Sequence, residues 1–71
     1  MFDGERLQRA LRERGLSLRQ TAEIMGLSED VLYRKMQDAG DFTRNEIQLL
    51  RWGLGLTGAE TEDIFFAEEL A

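Results

Sequence analysis

The sequence predicts a compact, all-α domain of five helices. Three observations carry that expectation. Apolar residues recur at helical spacing rather than in strand-like alternation. Three Ser/Thr-x-x-Glu/Gln boxes, Ser17–Gln20, Thr43–Glu46 and Thr57–Glu60, stand where helices should begin. Glycines close the predicted helices, and there is no proline to interrupt them.

The first helix is expected over about Asp3 to Arg14, with Leu7, Ala10 and Leu11 on one face and Gly15 as its stop. Ser17 and Gln20 box the start of the second, whose inner face carries Leu18, Thr21, Ala22 and Met25. Gly26 then turns the chain, with a positive φ expected. Ser28 caps the third helix, about Glu29 to Gln37, and Leu27 and Leu32 form a hydrophobic staple across its start. Leu32 and Met36 face inward, which leaves Glu29, Asp30, Tyr33 and Arg34 facing outward.

Asp38 to Asp41 reads as a turn. The fourth helix follows the Thr43 box, with Phe42 and Ile47 as its staple, and runs to about Leu54 before Gly55. Ile47, Leu50 and Leu54 share one side, while Leu49 and Trp52 project from the opposite one. Gly53 should weaken its last turn, since glycine costs about 1 kcal/mol against alanine inside a helix. The Thr57 box opens a short fifth helix carrying Ile64, Phe65 and Phe66. Leu49, Trp52, Ile64, Phe65 and Phe66 are candidates either for the core or for a dimer interface, because a helix apolar on two sides needs a further cover.

Composition limits what such a domain can do. A chain of 71 residues makes one domain with one small core, and residues 1–71 show no linker, repeat or low-complexity run. It has no histidine and no cysteine. The usual general base and the strongest nucleophile are therefore lacking, and so are thiolate metal ligands. No enzyme activity, cofactor or metal is expected. No stretch approaches the roughly 20 apolar residues of a membrane span, and the amino-terminal residues lack the apolar run of a signal peptide. A soluble, cytoplasmic protein with no membrane partner is expected.

The formal net charge is -5, which at first opposes a nucleic-acid partner. Its distribution weakens that objection. Residues 60–71 hold Glu60, Glu62, Asp63, Glu68 and Glu69 and no base, so the remaining residues balance at nine acids and nine bases. The acidic carboxyl segment reads most simply as a solvated face.

Ala22, Gly26 and Leu32 supply the small residue at a helix crossing, the turn glycine and the buried aliphatic of a helix-turn-helix. With them, Leu16 to Gln37 resembles the helix-turn-helix of the Cro and phage-repressor-like DNA-binding family, small regulators of phages, mobile elements and bacteria. Phe42-Thr43, Leu54-Gly55-Leu56 and Ile64-Phe65-Phe66 extend the likeness over nearly the whole chain. The resemblance implies a five-helix, lambda-repressor-like domain that represses by binding an operator in double-stranded DNA as a homodimer.

It also implies roles for particular residues. The second helix of such a motif lies in the major groove, which here places Glu29, Asp30, Val31, Tyr33 and Arg34 near base edges and makes Lys35 a further candidate. Arg34 could bond guanine O6 and N7 together. Arg19, at the start of the motif's first helix, and Arg44 and Asn45, at the start of the fourth helix, would meet phosphates. Leu18, Glu29, Asp30 and the net charge support an alternative, a protein-interaction module on the same fold, antirepressor-like, with weak or no DNA binding.

Overall fold

The computed structural model describes residues 2–37 and 41–66. Five helices follow in chain order: α1 (Gly4–Glu13), α2 (Leu18–Met25), α3 (Glu29–Gln37), α4 (Arg44–Leu54) and α5 (Gly58–Phe65). Among the described residues there is no strand, and no helix is long and apolar enough to cross a membrane. The turn expected at Asp38 to Asp41 falls mostly outside the described residues, as do Glu68 and Glu69 of the acidic segment.

Local chemistry sets the helix starts. Asp3 caps α1 by accepting from the Arg6 amide at 3.1 Å. Ser17, Thr43 and Thr57 each accept from the amide three residues on, and Gln20, Glu46 and Glu60 each accept from the cap amide in return. All three predicted capping boxes are thus complete, with two otherwise orphan amides satisfied at each.

One connector occurs three times. Gly15-Leu16-Ser17, Gly26-Leu27-Ser28 and Gly55-Leu56-Thr57 each join one helix to the next. The glycine takes a left-handed conformation, with φ between 66° and 69°. The leucine amide reaches back to a carbonyl of the preceding helix at 2.9 Å, to Leu11, Ala22 and Arg51 respectively. The hydroxyl residue then caps the following helix. Three residues therefore stop a helix, turn the chain and start another, while the leucine packs inward.

Every helix contributes to the core. Leu7 of α1, Leu32 of α3 and Leu50 of α4 are fully buried, with Ala22 and Met25 of α2 and Phe65 of α5 around them. Helix α2 packs on α3 and α4, and α5 packs on α1 and α4. Thr21 is a buried polar residue, and its hydroxyl donates to the Ser17 carbonyl at 2.9 Å, so burial leaves nothing unsatisfied.

Two tertiary devices close the bundle. Phe2, Phe42 and Phe65 form an aromatic triangle with ring centroids 5.1 to 5.7 Å apart, and the Asp3 amide donates to the Ile64 carbonyl at 2.6 Å. At the other end of α1, Arg14 donates to the carbonyls of Leu54 and Ala10 and pairs with Glu60 at 3.2 Å. One guanidinium thus serves the carboxyl ends of α1 and α4, where a cation is favoured, and the amino end of α5.

Candidate nucleic-acid interface

Helices α2 and α3 meet through the Gly26 turn, and the small Ala22 is buried, as a close helix crossing requires. The Ser28 hydroxyl accepts from the Val31 amide at 3.2 Å and starts α3 in register. That register buries Leu32 and Met36 and leaves Glu29, Asp30, Tyr33, Arg34 and Gln37 exposed. Tyr33 is the most exposed apolar side chain of this unit, at 53%. Glu29 and Asp30 occupy the first turn, where the helix dipole favours anions.

Val31 is half-buried and lies with Arg34, Lys35 and Asp41 around a shallow depression beside α3. Arg19 stands well out in solvent, and its Nε lies 3.9 Å from Glu23 Oε1, also exposed. An exposed pair of that kind contributes about 0–1 kcal/mol and leaves the guanidinium free to exchange partners. The Ser17 cap accounts for the Gln20 and Thr21 amides. The helix itself offers no acceptor to those of Leu18 and Arg19.

Lys35, a candidate for the reading face, departs from the other candidates on α3. It is not part of the outward face: its side chain is 18% exposed and turns toward α4. There its ammonium lies 3.2 Å from Glu46 Oε1, donates to the Asp41 carbonyl at 2.8 Å, and sits 6.0 Å from the centre of the Phe42 ring. Burial opposes ionisation of Glu46, but the Thr43 amide and then the Lys35 charge outweigh it and hold the carboxyl below its ordinary range. Lys35 therefore joins the end of α3 to the start of α4. The same link brings the exposed Arg44 and Asn45, in the first turn of α4, alongside the carboxyl end of α3.

The candidate dimer residues separate. Ile64 and Phe65 are buried at 3% and 7%, under α1 and in the aromatic triangle, so they belong to the core and are unavailable to a second copy. Leu49, Trp52 and Phe66 are exposed, Trp52 to 75%. Ile24 of α2, also at the surface, packs over Gly53 of α4. Sequence reasoning missed Ile24 here, although its place opposite Ala22 and Met25 on a short helix was a signal. It also missed Phe2 and Arg14, whose partners are remote in the chain.

Comparisons of the chain with protein-family models, with curated proteins and with solved structures find no match.

Proposed function

We propose that this chain is a sequence-specific double-stranded DNA-binding regulator, lambda-repressor-like in fold, which represses by occupying an operator as a homodimer. The observation that carries the reading is the exposed face of α3. A short helix is anchored by Leu32 and Met36 after a glycine turn, and Glu29, Asp30, Tyr33, Arg34 and Gln37 are left to solvent. In that role Arg34 reads a base edge, Tyr33 reaches a base or phosphate, and the Leu18 and Arg19 amides meet the backbone at the start of α2. Arg44 and Asn45 add phosphate contacts beyond the end of α3.

Fluorescence anisotropy on mixed duplexes over a range of salt tests this. Binding should weaken with salt at a slope of about -0.9 per phosphate contact in the double-logarithmic plot. Arg34→Ala should cost about 1 to 3 kcal/mol on a selected duplex and little on mixed sequence. No binding at low salt, with the acidic segment removed as well, abandons the reading.

One observation favours a second reading. With Lys35 drawn to Glu46, the outer face of α3 carries Glu29 and Asp30 against Arg34 alone. An acidic face of that kind suits a basic partner protein, and the chain would then be an antirepressor-like interaction module.

A further inference from the structure

A hollow of about 230 Å³ opens between α1, the start of α2 and the carboxyl half of α3. Its walls are apolar: Leu11 and Met36 are buried beneath it, and Leu16 and Leu18 are half-buried at its sides. Tyr33 lines it as well, so the ring belongs both to this hollow and to the outer face of α3. The polar residues that line it are Gln8, Tyr33 and Arg12, with no Asp or Glu among them.

Arg12 fixes the charge of what would fit. Arg6, Arg14, Arg19 and Lys35 all have carboxylate partners. Arg12, like Arg9, Arg34, Arg44 and Arg51, has none among the described residues, and of these five it is the one that lines this hollow. A cation left beside an apolar hollow complements a ligand with an apolar body and one negative charge. Size narrows the body, since a cavity of about 150 Å³ takes benzene. A one- or two-ring aromatic fits, and it can pack on Tyr33.

We propose that this hollow binds a small aromatic carboxylate, its ring against Leu18 and Tyr33 and its carboxylate on Arg12, and that occupancy regulates the DNA-facing side of α3. Only the regulatory half rests on the DNA-binding reading. The ligand site stands or falls without DNA.

Naphthalene-2-carboxylate is the probe, titrated into the ¹⁵N-labelled full chain. Saturable amide shifts should centre on Leu16, Leu18 and Tyr33. Naphthalene-2-carboxamide should bind about tenfold more weakly, the loss expected for one charge-assisted hydrogen bond. Arg12→Gln, a surface change, should erase that preference, and Arg51→Gln should retain it. Shifts that do not saturate at millimolar probe, or that centre on Trp52, overturn the site. Equal binding of acid and amide overturns the role of Arg12. In a second arm, saturating probe should lower duplex affinity at least severalfold. Unchanged duplex affinity overturns the regulatory half, and binding of the probe by a chain that binds no duplex overturns that half together with the DNA reading.

Discussion

A β-carbon placed on Gly53 would lie 2.5 Å from Ile24 Cγ2, closer than packed carbons approach. Gly53 has an ordinary helical φ, so freedom of the backbone is not its purpose. Its purpose is the contact between α2 and α4. Helix propensity alone would have Gly53→Ala stabilise α4 by about 1 kcal/mol. Overpacking costs about 1 to 3 kcal/mol, and Ile24 is branched at Cβ and stiff about χ1. The packing effect should win, so Gly53→Ala should lower stability in urea by about 1 to 2 kcal/mol. In an Ile24→Ala background the same change should instead raise it, by up to about 1 kcal/mol. The same sign in both backgrounds would remove the steric explanation. Arg14 likewise acts across the fold, on Leu54 and Glu60, and nothing beside it in the chain announces either partner.

At the scale of elements, the helix ends carry most of the local specification. Ser17, Thr43, Thr57 and the three left-handed glycines mark boundaries with partners three to five residues away. That is why those boundaries were legible in the sequence. The outward set Glu29, Asp30, Tyr33 and Arg34 was legible for the same reason, because helical periodicity is local. The fate of Lys35 was not, because it depends on where Glu46 arrives after the chain has turned. Phe2 and Gly53 were hidden likewise: a terminal aromatic and a helical glycine acquire meaning only from Phe65 and Ile24 across the bundle. The Lys35–Glu46 link gives α4 a dependence on pH. The Glu46 carboxyl is held below its ordinary value near 4.5 in the folded chain. Its contribution is present above that value and is lost as the pH falls through the lower, folded value. Glu60, held down by the Thr57 amide and by Arg14, acts in the same direction. Glu46→Gln keeps an acceptor for the Thr43 amide and removes the charge. Its urea midpoint should lie below that of the parent at pH 7, and the two should converge as the pH falls from the ordinary value through the lower, folded one. A constant gap over that range would assign the loss to packing rather than to ionisation.

For the whole molecule, the question is what covers α4. Helices α2 and α5 pack on α4 and its Leu50 and Leu54 are buried, yet Leu49 and Trp52 stay exposed, as does Ile24 on α2. A tryptophan exposed to 75%, on the same helix as the exposed Leu49, has the character of an interface anchor. The described residues extend over 36 × 22 × 21 Å. Half-sites one turn of DNA apart are separated by about 34 Å, close to one protomer's length. In a dimer formed through α4 that bound both half-sites, the two α3 helices would have to face the same side of the assembly. Sedimentation equilibrium of the native chain beside Trp52→Ala tests the interface directly. The native chain should associate in the micromolar range, and Trp52→Ala should weaken that by about tenfold or more, as loss of a central anchor does. Because Trp52 is outside the core, the variant should keep the parent's unfolding midpoint at concentrations where both are monomeric. A native chain that remains monomeric at high micromolar concentration rules out this dimer, and a sharply lowered midpoint at dilution would mean that Trp52 supports the fold instead.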